Sequence, residues 1–220
     1  MSFEIKNNVA LLALDDGKAN AINPAFIEAM GAALDQAERE AGALVIAGRP
    51  GKFCAGFDLK YMQTLPPEDA PKLVSTGGKM FQRIFASKLP IVAACTGHAI
   101  AGGALLLLAC DTRIGPIGDY KFGLNETSIN MALPVFGIEL AKARLDETHL
   151  TRSVLQSHIY DSAGAVEAGY LDQIVEHEHV IETALAQAKA LSTLPAAPYA
   201  ATKLSLRQGF LDTIEKSWDS

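Results

Sequence analysis

Three short segments of this 220-residue sequence combine residue types that could do chemistry. Ala55-Gly56-Phe57-Asp58-Leu59 and Gly97-His98-Ala99-Ile100-Ala101-Gly102-Gly103 each follow an expected strand and precede an expected helix, where backbone N–H groups are free to face a ligand. Neither has the GxGxxG or GxxxxGKS/T spacing of a nucleotide-binding loop. On spacing alone each reads as a tight packing turn. As a pair, they could converge two N–H groups on one oxygen, which is an oxyanion hole. The third segment, Phe122-Gly123-Leu124-Asn125-Glu126-Thr127, sets one acid in an otherwise apolar stretch that runs on through Ile129, Met131 and Leu133. A loop glutamate is ordinarily solvated, but a carboxyl in an apolar pocket has its pKa raised towards neutrality and becomes a usable proton shuttle.

The other reactive side chains read as structural. His98 sits in the second glycine segment, where packing or capping accounts for it. His149, His158, His177 and His179 show no HExxH or other metal-ligand spacing beyond the His177/His179 pair, which reads as surface, so no metal is expected. Cys54, Cys95 and Cys110 form no CxxC and lie among small or apolar neighbours, as buried free thiols of a reducing cytosol do. Cys54 adjoins the first glycine segment, yet no histidine or cation is evident to make it a nucleophile. Asp58 and Asp111 are expected to cap helix starts or fix turns, and Ser75, Ser87 and Ser128 lack a GxSxG setting.

The elements that must position these segments follow from periodicity and punctuation. Phe3 to Leu14 reads as two strands around an Asn7-Asn8 turn. Asn23-Pro24 starts a helix whose apolar positions Ile27, Met30, Leu34 and Ala37 recur up to Gly42. Leu44 to Ala47 and Ile91 to Ala94 read as buried strands, with a helix over Lys72 to Ser87 weakened at Gly77-Gly78 between them. His98 to Gly103 is turn-like, Ala104 to Cys110 is a buried helix, and Thr112 to Ile114 and Tyr120 to Phe122 are short strands. Helices follow at Ile138–Leu145, Thr148–Gln156, Ala163–Ala168, Val180–Leu194 and Tyr199–Ile214, with one more strand at Leu171–Val175. The sum is an α/β layered core with a helical remainder.

Composition bounds what such a fold can bind. With 49% hydrophobic and 20% charged residues the chain is globular and can bury a large core. A net charge of −6 leaves no global basic field for nucleic acid or an anionic membrane surface. Leu89 to Cys110 carries no formal charge, but Pro90, Gly97, Gly102 and Gly103 break it into a strand, a turn and a short helix rather than a membrane span. The N-terminus shows no secretory signal, and a cytoplasmic location is expected.

In this order, Lys18-Ala19-Asn20-Ala21-Ile22-Asn23, Phe53-Cys54-Ala55-Gly56-Phe57-Asp58-Leu59, Gly97 to Asp111, Gly123 to Glu126 and Ala168-Gly169-Tyr170-Leu171-Asp172 resemble the enoyl-CoA hydratase/isomerase (crotonase) superfamily over nearly the whole chain. The resemblance implies a ClpP/crotonase-like spiral of ββα units over residues 1–176. A shortened helical C-terminal region would cover residues 177–220 and leave a more open acyl pocket or one covered by a neighbouring subunit. It implies a homotrimer or hexamer acting on an acyl-CoA thioester, with no cofactor beyond the coenzyme A of the substrate. The oxyanion donors would be the Phe57 and Gly102 N–H groups. The Ala55 and Phe57 carbonyls would face the adenine, and Lys60, with Lys52 nearby, would meet the phosphates.

The departure from the family pattern decides the expected reaction. Hydratases resemble one another in carrying two glutamates, one to hold water and one to deliver a proton. Here the first position is Leu105 and only the second, Glu126, is an acid, as in the segment of Δ3,Δ2-enoyl-CoA isomerases that Gly123-Leu124-Asn125-Glu126-Thr127 resembles. Dienoyl isomerisation, which resembles the same machinery plus an aspartate, is disfavoured because Ser128 to Ala141 holds no Asp and Glu139 is its only acid. The sequence therefore points to a double-bond isomerase using Glu126. Hydration, hydrolysis or decarboxylation of a CoA thioester and a non-catalytic acyl-CoA-binding trimer are the alternatives.

Overall fold

The computed structural model describes residues 1–219. It opens with antiparallel strands β1 (Ser2–Lys6) and β2 (Val9–Ala13), joined at Asn7 and Asn8. Both asparagines have positive φ, a conformation their short polar side chains tolerate. Helix α1 (Pro24–Glu40) follows; Asn23 Oδ1 accepts the Phe26 N–H at 3.0 Å and Pro24 occupies the first turn, so two start signals agree.

Three ββα turns build the centre. They are β3 (Ala43–Ala47), β4 (Gly51–Cys54) and helices α2 (Leu59–Met62) and α3 (Asp69–Ala86); β5 (Ile91–Ala94), β6 (Gly97–Ile100) and α4 (Gly102–Ala109); and β7 (Thr112–Pro116), β8 (Phe122–Gly123) and α5 (Val135–Arg144). The first strand of each turn enters a six-stranded sheet ordered β1-β2-β3-β5-β7-β9, where β9 is Gln173–Val175, and the second enters a three-stranded sheet ordered β4-β6-β8. Every pairing except β1–β2 is parallel. Helix α6 (Ser162–Ala168) precedes β9, and α7 (Val180–Leu191) and α8 (Ala196–Lys216) end the fold.

Strands β3 and β5 are buried at every position because both faces of the large sheet are covered. Alternate residues sort between two cores: Leu44, Ile46, Ile91 and Ala93 join Met30 and Leu34 of α1, while Val45, Ala47, Val92 and Ala94 meet Val180, Ala184 and Ala188 of α7. Helix α8 is tied down by charge. Lys203 Nζ and Arg207 reach Asp111 at 2.7 Å each and also donate to the Leu89 and Phe85 carbonyls. Asp111 further accepts the Ile91 N–H, so it holds α8 to the large sheet as well as fixing a turn.

Several elements differ from the sequence expectations. His98 to Ile100 is strand, because β6 pairs with both β4 and β8, and the turn is confined to Ala101. Helix α3 runs unbroken through Gly77 and Gly78, where aromatic rings occupy the space that side chains would need. The stretch expected to be helical over Thr148–Gln156 is a 3-10 turn at Glu147–His149 and a π turn at Thr151–Leu155. The uncharged run from Leu89 to Cys110 is β5, β6 and the eight-residue α4, and no described helix is long and apolar enough to cross a membrane.

Candidate active site

Close backbone approach brings the two glycine segments together. A β-carbon on Gly103 would overlap the Cys54 carbonyl, so only glycine lets the start of α4 press against the end of β4. Gly102 then lies beside Gly56 and Phe57: a β-carbon built on Gly56 would come within 3.0 Å of Gly102 N, and one on Gly102 within 3.3 Å of Gly56 Cα and of Phe57 Cδ2. Ile22 fastens the first segment as an isolated parallel bridge, its N–H donating to the Gly56 carbonyl and its carbonyl accepting the Asp58 N–H. Ala101 aims the second; it adopts φ 52° and ψ −126°, a strained conformation for a residue with a β-carbon, and its N–H donates to the Gly123 carbonyl at 2.9 Å.

The Phe57 and Gly102 N–H groups donate to no other described residue, and the Ala55 and Phe57 carbonyls accept from none. Two free N–H donors thus adjoin, while two free carbonyls flank them. Lys60 is exposed on α2, whose start Asp58 caps by accepting the Tyr61 N–H at 3.0 Å. Lys52 is exposed on β4 in register with His98, on the small sheet rather than beside the donors.

The acid arrives from the next strand. Ile100 pairs with Gly123, so β8 sets the chain that bears Glu126 alongside the segment that bears Gly102. Gly123 is itself required, since its φ of +157° comes with close approach to the His158 carbonyl. The Glu126 carbonyl accepts the Ile129 and Met131 N–H groups, which folds the loop beneath it, and the residue is only 8% exposed. Its Oε2 is buried without a hydrogen-bond partner. Burial, partly offset by a hydrogen bond from its own backbone N–H, pushes the carboxyl pKa up from 4.5 to about 7. Leu105, one turn along α4 from Gly102, is 1% exposed and cannot ionise. The other buried acid, Glu139, is engaged by Lys142 Nζ at 2.7 Å.

The remaining candidates take structural places. His98 Nδ1 accepts the Lys121 N–H, and burial, then the charges of Lys52 and Lys121, hold its pKa below the usual value. All three cysteines are free and buried, with Cys54 and Cys110 pushed up to about 12 by desolvation, so none is poised as a nucleophile. Among the described residues no group of three or more His, Cys, Asp or Glu could hold a metal ion.

Residue reading alone missed the supports. Asn20 is 1% exposed; its Nδ2 donates to the Leu14 and Phe53 carbonyls and its Oδ1 accepts the Asp16 N–H, locking the loop before α1 onto the strand that leads to Phe57. Asn125 Oδ1 is buried without a partner in the Glu126 loop, while the buried Tyr170 hydroxyl in the segment after α6 faces Ser153 and the Leu124 backbone. The positions were visible in sequence, but contacts across 33 residues were not. Together the site offers two neighbouring free N–H donors, an arrangement that could hold a developing oxyanion, and one carboxyl held near neutrality, with no acid at Leu105.

A family model described as enoyl-CoA hydratase/isomerase matches residues 4–219. The crystal structure of an enoyl-CoA hydratase/isomerase family protein from Pseudomonas syringae superposes with a TM-score of 0.94 at 42% identity, over 98% of this chain and 94% of that one. A probable enoyl-CoA hydratase of Rhizobium meliloti is 30% identical over 88% of this chain and 76% of its own. The human mitochondrial enoyl-CoA delta isomerase 1 is 27% identical over 91% and 68%. The crotonase-type α/β architecture expected from the five segments is the one observed.

Proposed function

We infer function from one premise: the chain belongs to the enoyl-CoA hydratase/isomerase family. Within it, we propose that the protein is a Δ3 to trans-Δ2 enoyl-CoA isomerase. The observation that carries this reading is the buried carboxyl of Glu126, whose Oε2 has no hydrogen-bond partner, with Leu105 at the other acid position. Hydration needs one group to hold water and another to deliver a proton, whereas moving a double bond needs one base that takes a proton from C2 and returns it at C4.

In this mechanism the Phe57 and Gly102 N–H groups bind the thioester oxygen. Ionised Glu126 removes the C2 proton; the C2 electrons shift into a dienolate whose negative charge gathers on that oxygen, and the protonated carboxyl then delivers the same proton to C4. The C3–C4 double bond becomes C2–C3 and no atom is gained or lost. Burial suits Glu126 to both steps, because a carboxyl with a pKa of about 7 is a competent base and, once protonated, a competent acid at neutral pH. The Ala55 and Phe57 carbonyls would meet the adenine, and Lys60 and Lys52 the phosphates. Coenzyme A enters as part of the substrate and no resident cofactor or metal is needed. We propose a homotrimer or hexamer working in the cytoplasm.

The test is to incubate the protein separately with 3-enoyl-CoA and trans-2-enoyl-CoA and identify the products. Interconversion of the two esters supports the isomerase. Formation of a 3-hydroxyacyl ester from the 2-enoyl ester at an enzymatic rate would overturn it.

A further inference from the structure

Four aromatic rings run from the oxyanion donor to the last described helical turn, all seated on one face of α3. The Phe57 ring lies against Gly77, where a β-carbon would come within 2.6 Å of Cε1 and Cζ. Phe81, one turn along, stands edge-on to Phe57 at 6.4 Å between centroids. Phe136 tilts against Phe81 at 6.0 Å, and Trp218 against Phe136 at 5.7 Å. Gly78 accommodates both: a β-carbon there would meet Phe136 at 2.6 Å and Trp218 at 2.7 Å. Two polar contacts hold Trp218 in place, its indole N–H donating to Gln82 Oε1 at 2.7 Å and Lys79 Nζ lying 5.7 Å over its ring.

The placement bears on substrate size. Once the thioester oxygen occupies the Phe57 and Gly102 donors and the first carbons meet Glu126, the rest of an acyl chain must find apolar surroundings. Leu105, one turn along α4 from Gly102, and Leu133, in the segment after Glu126, converge on Gly137, the residue after Phe136. Phe136 in turn packs against Phe81, which is fully buried, and against Trp218.

We propose that the row Phe57–Phe81–Phe136–Trp218 is an end wall that restricts this protein to short-chain acyl thioesters, with Trp218 as the outermost gatepost. This rests on Phe57 and Gly102 being the thioester site, but not on which reaction follows. Saturated thioesters therefore test it without turnover. In an open apolar pocket each added CH2 would tighten binding about fourfold; against a wall the gain stops and then reverses.

The experiment measures calorimetric Kd values for butanoyl-, hexanoyl- and decanoyl-CoA on the full chain, together with tryptophan emission, since Trp218 is the only tryptophan. We expect the ten-carbon ester to bind at least about tenfold more weakly than the four- or six-carbon esters, and Trp218→Ala to restore an increase with length. Where the decanoyl ester does bind the native chain, it should shift Trp218 emission to the red, which the butanoyl ester should not. Steady tightening from four to ten carbons with unmoved emission would overturn the proposal. So would an unchanged length profile in Trp218→Ala or, should that variant not fold, in Trp218→Leu. If length discrimination holds but no 3-enoyl ester is isomerised, the wall stands and the isomerase reading falls.

Discussion

Replacing Glu126 by Gln should abolish isomerisation while making the protein more stable above neutral pH. The structure supplies the size of the second effect. Burial raises the Glu126 pKa from 4.5 to about 7 in the folded state, and each tenfold change in proton affinity corresponds to about 1.4 kcal/mol, so keeping an ionised Glu126 folded costs about 3 kcal/mol. The sign follows from which state holds the proton. Below pH 4.5 both states are protonated and there is no penalty. Between 4.5 and 7 the unfolded chain ionises while the folded one does not, so stability falls as pH rises, and above 7 the penalty is complete. Glutamine keeps the shape and removes the charge. Its advantage over the parent should be near zero at pH 4.5 and about 3 kcal/mol at pH 8, roughly 6–12 °C in Tm for a chain of this length. Thermal melts of both proteins across that pH range measure it. In parallel, kcat/KM of the parent should fall about tenfold per pH step below 7, as the base is protonated. A stability advantage that does not change between pH 4.5 and 8 would refute the claim that Glu126 is desolvated, and an active Gln variant would refute its role as the base.

Asp111→Ala should leave the Lys203 and Arg207 side chains buried without a carboxylate, lowering stability by about 3–5 kcal/mol, read as a drop in urea midpoint with an unchanged m-value. Asn20→Ala should orphan the Leu14 and Phe53 carbonyls, costing about 1–3 kcal/mol for each; because these contacts hold the strand leading to Phe57, kcat should fall even at temperatures where circular dichroism shows a folded chain. The three thiols should resist iodoacetamide at pH 8, since burial raises all three, and mass spectrometry should find all of them labelled once denaturant is added.

Much of the fold was legible because its signals are local. Asn23-Pro24 announces α1 through a cap and a fixed φ, and both act within one turn. The apolar runs at Leu44 and Ile91 announce buried strands because a parallel sheet covered on both faces needs no polar alternation. What escaped was decided by distant partners. The His98–Ile100 stretch is rich in small residues and reads as turn, yet β4 and β8 pair with it on either side. Gly77 and Gly78 should weaken a helix by propensity, but the rings of Phe57, Phe136 and Trp218 fill the space above them, so packing supports what propensity does not.

The sequence by itself determined the residue types at the site: an acid at 126, an apolar residue at 105 and glycines at 56, 102 and 103. It therefore placed one ionisable acid, not two, at the candidate site and pointed to the family. Only the tertiary structure decided that these positions meet. Gly103 must touch the Cys54 carbonyl, Ala101 must hold a strained backbone against Gly123, and the strand pairing of Ile100 with Gly123 must bring Glu126 alongside. It also decided the carboxyl's proton affinity, because desolvation depends on everything that surrounds a side chain and not on its neighbours in sequence.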